Sequence, residues 1–313
     1  MRLRLLAAAG LAAAFVSAQA SAQTVGVGTM SQGTLSFSTG SVIAKVMNEK
    51  MDINARVQPN SGESVLIPLV NNGELDFGIA NVLEAAQAST GTGVFEGRKQ
   101  DALRIAATLY PLRTVMFVRE DSDIKTIADL KGKRVTMGFS AMGTINQVAV
   151  ALLANGGLGE SDVVPVLVPN VVVGADQFVN GRADAFFFAV GAAKTKEVNA
   201  SVPIRAVPMN DDADSVARMN AIFPDGYIAV APPLPNFAGV KVPTPILAYD
   251  NMLLTHAGVP DATITAVLDG MAANRDALIA GFPLFRGLDP EKFYKPGVQA
   301  PFHPATVAWA KNR

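Results

Sequence analysis

Two glycine loops carry the residues best suited to chemistry in this chain. Gly28-Thr29-Met30-Ser31-Gln32-Gly33-Thr34 and Gly138-Phe139-Ser140-Ala141-Met142-Gly143-Thr144 share the pattern G-x4-G-T. Glycine lets a backbone approach a ligand closely. A helix starting after each Gly-Thr would present N–H groups without intrahelical partners. With the positive end of the helix dipole, such groups attract an anion, and Thr34 and Thr144 add hydroxyl donors. Either loop alone reads equally well as a turn followed by a threonine cap. Two such loops facing one another across a cleft point to a site for a small anion or zwitterion. Candidate ligand-facing residues nearby are Asn60-Ser61-Gly62 after a strand candidate, the counterpart Asn170, Asn81, and Tyr110 in a Tyr-Pro turn. Arg113 suits bidentate pairing with a carboxylate. Phe186, Phe187 and Phe188 cannot all face one way in a strand, so at least one is core and Phe188 is a candidate wall of the cleft.

The elements that would position these loops come as a repeat. Gly28 to Thr34 recurs at Gly138 to Thr144, and Val57-Gln58-Pro59-Asn60 recurs at Leu167-Val168-Pro169-Asn170, each 110 positions on. Asn72-Gly73-Glu74-Leu75-Asp76 recurs as Asn180-Gly181-Arg182-Ala183-Asp184, 108 positions on. So long a period describes a duplicated lobe, not a solenoid unit. Val42, Ile43, Val46 and Met47 share a helical face, as do Ile145, Val148, Ala149 and Leu152. Residues 55–58 and 163–168 read as short strands, and the apolar runs 77–80 and 185–190 as strands buried on both faces. Each half then alternates strands and helices, which gives an α/β fold of two similar lobes with a hinge. The expected organisation is lobe 1 at 23–114 plus 255–313 and lobe 2 at 115–254. The chain would cross through 115–118 and 246–254. Residues 209–245, with six prolines, are expected to be an irregular extended loop.

Composition narrows the function classes. The chain has 313 residues, half of them hydrophobic, and a formal net charge of −1. Nothing is basic enough for a nucleic-acid footprint. Arg2 and Arg4, the apolar run 5–16 and Ala20-Ser21-Ala22 read as a secretory signal peptide cleaved before Gln23. Cysteine is absent, so neither a disulfide nor a cysteine-linked lipid anchor is expected. The two histidines, His256 and His303, have no partner the sequence can place beside them, and no metal spacing or Walker motif occurs. A non-enzymatic protein without cofactor or metal is therefore expected in the periplasm.

The ordered motifs resemble those of the TAXI family of TRAP-transporter solute receptors. The resemblance is carried by Gly33-Thr34, Ser61-Gly62-Glu63-Ser64, Asn72 to Phe77, Leu109-Tyr110, Asp129 to Val135, Gly143-Thr144, Gly181 to Ala185 and Pro301-Phe302-His303-Pro304-Ala305. It covers nearly the whole chain beyond residue 22. It implies a two-lobed receptor of the type II periplasmic-binding-protein, or Venus flytrap, kind that delivers a small carboxylate (a dicarboxylate, 2-oxoacid or acidic amino acid) to the membrane permease subunits of an ion-driven transporter. The chain departs from the usual family pattern at Leu35-Ser36-Phe37, Ala141-Met142 and Leu112. The alternatives are an ABC-type periplasmic receptor for another polar solute and, behind it, an enzyme or a ligand-free surface protein.

Overall fold

The computed structural model describes residues 24–313; the signal-peptide reading falls on residues outside these. The first repeat unit folds as β1 (Val25–Met30), α1 (Leu35–Lys50), β2 (Ala55–Asn60), α2 (Glu63–Asn71), β3 (Phe77–Asn81) and α3 (Val82–Thr90). After the long strand β4 (Leu103–Arg119), the second unit repeats that order. It runs β5 (Arg134–Met137), α4 (Gly143–Asn155), β6 (Val164–Leu167), α5 (Val171–Val179), β7 (Ala185–Ala189) and α6 (Ala193–Ser201). There follow β8 (Ile204–Ala206), α7 (Ala213–Asn220), β9 (Tyr227–Ala231) and β10 (Thr244–His256). Helices α8 (Asp261–Ala273), α9 (Arg275–Gly281) and α10 (Pro304–Lys311) end the chain.

Among the described residues the strands join in the order β2-β1-β3-β10-β4-β7-β5-β6, with β8 on β4 and β9 on β10. The sets β2-β1-β3 and β6-β5-β7 are parallel copies of one another. The duplicated Asn-Gly-x-x-Asp segments have a physical job in each copy. Gly73 (φ +75°) and Gly181 (φ +71°) turn the chain out of α2 and α5 through the left-handed region. The aspartate that follows then pins the start of the neighbouring strand. Asp76 accepts from Gly26 N–H at 2.7 Å, and Asp184 accepts from Arg134 N–H at 2.9 Å. The return bonds, Asp76 N–H to the Gly26 carbonyl and Asp184 N–H to that of Arg134, close both rings.

β4 and β10 pair antiparallel from Leu103–His256 to Thr114–Leu247 and form a ribbon through both lobes. β10 pairs with β9 over 244–248 and with β3 over 251–255, so it changes lobe between Ala248 and Asn251. β4 meets β7 from Thr114 onward. The register slips between Asp250 and Met252 opposite this crossing. The expected turn at Tyr110-Pro111 does not form: both lie inside β4, with Pro111 opposite Asp250 next to the irregularity, where a missing N–H is tolerated. Residues 209–245 also differ from expectation. Asp212 caps α7 by accepting from Ser215 N–H at 3.0 Å, and β9 extends the sheet; residues 209–212, 221–226 and 232–243 stay irregular.

Two apolar clusters hold the molecule. One lies under α1, α8, α9 and α10, with Phe285, Phe293 and Trp309. The other runs from α2 and α3 through the ribbon into the second lobe, around Phe117, Phe178, Phe186 and Leu152. α8 thus returns to the first lobe, as its Ile264, Val267, Leu268 and Met271 face implies.

Candidate functional site

The two units face one another at the carboxyl ends of their strands, where open α/β sheets bind ligands. They are in contact. Gly62, before α2, lies against Ala141 and Met142: a Cβ on it would stand 2.2 Å from the Ala141 carbonyl oxygen. Lys194 N–H at the start of α6 donates to the Gly33 carbonyl at 3.1 Å. Gln87 of α3 donates to Gln147 of α4 at 2.7 Å.

Between the lobes remains a cavity of about 40 Å³, room for about three water-sized spheres. The first lobe supplies Met30, Thr34, Leu35, Ser36, Glu63 and Ala80-Asn81; the second supplies Met142, Ile145, Val171 and Phe187 to Ala189. The ribbon supplies Leu112 and Thr114 from β4 and Tyr249 and Asn251 from β10. These are i, i+2 pairs, which point to one face of a strand.

The wall is mostly apolar but holds two buried carboxyls. Glu63 opens α2, is 2% exposed and lines the cavity. Behind it Glu84 is fully buried on α3 and accepts from the Asn81 amide at 2.9 Å. Burial pushes Glu63 up to about 7, against the pull of its own backbone N–H and of a hydrogen bond with Glu84. Burial, with the facing charge of Glu63, holds Glu84 well above the usual carboxylate range. Two carboxyls in one dry site share a proton for this reason. Thr114 Oγ1 and Asn251 Nδ2, also buried, make no well-aligned hydrogen bond, although the Tyr249 and Tyr110 hydroxyls, respectively, stand beside them. No Lys, Arg or His lines the cavity.

The sequence profile of the NMT1-like family matches residues 27–311. The chain belongs to the NMT1-like family. Its fold is similar to that of a periplasmic transporter protein (13% identity, 92% of each chain, TM-score 0.57). It is also similar to a substrate-binding protein of an amino acid ABC transporter (15% identity, 83% of this chain and 100% of that one, TM-score 0.54). An ancestral arginine-binding protein bound to arginine matches at 15% identity, over 84% of this chain and 98% of that one, with a TM-score of 0.52. The fold is the two-lobed Venus flytrap of periplasmic binding proteins.

In this NMT1-like chain the structure brings some of the sequence-selected residues together and separates others. Thr34, Asn81, Met142 and Phe188 line the cavity. Thr34 is also the N-cap of α1, accepting from Phe37 N–H at 3.2 Å. Gly33, Gly62 and Gly143 lie in the seam between the lobes, Gly143 against Val94. Thr144 is not a cap: it is the second residue of α4 and donates to Gln87 at 3.4 Å. Ser31 donates to the Asn60 carbonyl, and Asn60 Nδ2 donates to that of Gln58. Asn170 caps α5 through Val173 N–H. Gln32, Ser61 and Ser140 are exposed. Arg113 does not line the cavity, because strand alternation sends it to the face opposite Leu112 and Thr114. Tyr110 lies in the cluster under α1, bonded to Thr39 and packed edge-on against Phe285.

Sequence reasoning missed Glu63 and Glu84 as site residues. An acid in the first turn of a helix is ordinary. The signal that could have found Glu84 is its setting, an acid among Val82, Leu83, Ala85 and Ala86. His256 and His303 stand away from the cavity; His303 caps α10 through Ala305 N–H, and burial lowers its proton affinity.

Proposed function

We propose that this protein is an extracytoplasmic solute receptor. It captures a small solute between its lobes, closes on it, and hands it to the permease subunits of a membrane transporter without chemical change. One observation carries the reading: the cavity between the lobes is walled by both repeat units and by both strands of the ribbon that joins them, so a bound solute touches every part whose relative position changes on closure. A ligand that contacts both lobes favours the closed state by its differential affinity. The resemblance to TAXI receptors makes a TRAP-type secondary transporter the proposed partner and a small carboxylate one candidate solute. An ABC-type permease suits the same fold.

The test is thermal unfolding against a panel of dicarboxylates, 2-oxoacids, amino acids, amines, sugars and phosphate, after unfolding and refolding to strip any resident solute. A solute at 100 times its dissociation constant raises stability by about 2.7 kcal/mol, a shift of several degrees. The recovered solute should have unchanged mass. No shift with any member, or turnover of one, removes the receptor reading.

A further inference from the structure

The cavity wall, read as the receptor's binding site, has a chemistry of its own. A carboxylate solute would enter a space with no cationic side chain, one acid in its wall and a second behind it. An anion desolvated there meets hydroxyl and amide donors but no cation, and faces the Glu63 carboxyl, which is costly unless that carboxyl is protonated. A cationic nitrogen meets the opposite situation. With Glu84 protonated, the pair carries one negative charge whenever Glu63 is ionised, and an ammonium or amidinium neutralises that charge through a charge-assisted hydrogen bond. The acids alone would describe a proton-sharing structural pair. Asn251 Nδ2 and Thr114 Oγ1 supply the independent observation: both are 2% exposed, lie in the same wall, and make no well-aligned hydrogen bond, although the Tyr110 and Tyr249 hydroxyls stand beside them. A buried amide donor without an acceptor is costly, and a solute acceptor removes that cost.

We propose that the solute is a small nitrogen compound that places a cationic nitrogen on Glu63 and an acceptor atom on Asn251, while Glu84 retains the proton of the pair. The proposal rests on the receptor reading. Glu63 is the anionic partner because it faces the cavity; Glu84 sits behind it, held by Asn81. Glu84 from α3 faces Glu63, Tyr249 from β10 feels the charge of both acids, and no basic side chain lines the cavity they border. Burial also keeps the Tyr249 hydroxyl protonated.

Titration calorimetry on the refolded protein tests it with pairs matched in size: glycine against glycolate and ethanolamine against ethylene glycol, with succinate and 2-oxoglutarate as anions. Glycine or ethanolamine should bind roughly tenfold or more tighter than its partner and than either dianion. Glu63→Gln should lose that preference, whereas Glu84→Gln, which still donates to Glu63, should keep it. In the unaltered protein, affinity for the amine should fall by about tenfold per unit as pH drops below the range where Glu63 takes up its proton. That profile needs no variant to fold. Tighter binding of glycolate or succinate, or an amine affinity unmoved by both pH and Glu63→Gln, overturns the proposal and leaves the receptor reading standing. No binding by any solute in the wider panel overturns both.

Discussion

At the scale of single residues, Gly62 is the most exacting position in the interlobe seam. Its φ of −180° is open to any residue, so its requirement is space, not conformation. An alanine Cβ would stand 2.2 Å from the Ala141 carbonyl and 2.5 Å from Met142 Cγ. The first of these is backbone and cannot swing away. Relief must come from parting the lobes, which costs the first lobe nothing internally. Gly62→Ala should therefore fold with near-normal stability yet bind solute at least roughly tenfold more weakly. Because the chain lacks cysteine, thiols introduced at exposed Val65 and Leu167 can carry a fluorophore pair across the lobes. Energy transfer should rise with solute in the parent and stay flat in Gly62→Ala. A full rise in the variant would mean that this contact does not govern closure.

Secondary elements were legible where a local signal coincided with a structural need. The Asn-Gly-x-x-Asp segments announced both a helix stop and a duplicated unit, and the structure adds the aspartate's role as a strand pin. The pin is local enough to test. Asp76 binds the Gly26 N–H from a partly buried position, and hydrogen bonds to charged groups contribute about 1.5–3 kcal/mol. Asp76→Ala should lower unfolding free energy by about that amount in denaturant titration, with solute affinity per folded molecule little changed; a loss below about 0.5 kcal/mol would deny the pin its role. Other elements were not legible because their signals pointed the wrong way. Tyr110-Pro111 has the composition of a turn, yet the long partner β10 and a register slip absorb the proline inside a strand. The prolines of 209–245 masked an eight-residue helix whose start, Asp212 with Ser215 three positions on, was visible but outweighed. The glycine loops were placed correctly at the strand ends, but their expected anion chemistry came from helix starts considered alone. Glu63 already occupies the first turn of α2, and only packing of α2 against α3 and the ribbon makes it a buried acid.

At the scale of the whole molecule, that buried pair ties stability to pH in a direction opposite to ordinary surface carboxylates. Asp129, Asp162 and Asp212 are held low, each by backbone N–H groups first, and Asp184 by the Arg134 guanidinium first. They stabilise the fold above their unfolded values near 4 and lose that contribution on acidification. Glu63 and Glu84 bind protons more tightly folded than unfolded. Their contribution is complete below the unfolded value of about 4.3 and is lost as pH rises through the folded value, about 7 for Glu63. For Glu63 that loss amounts to roughly 3 kcal/mol across the window. His303, lowered by burial, acts in the reverse sense as pH falls, so the parent curve alone mixes the two. Glu63→Gln separates them, since it leaves His303 in place and removes the titration of the acid. The parent's stability relative to this variant should decline steadily between pH 5 and pH 8 in the solute-free state. A solute that holds Glu63 as a carboxylate should flatten or reverse the decline, because the bound form no longer favours the proton. A difference curve that is level from pH 5 to pH 8 would mean that the Glu63 carboxyl is hydrated, and the cavity between the lobes open to water, in the empty protein.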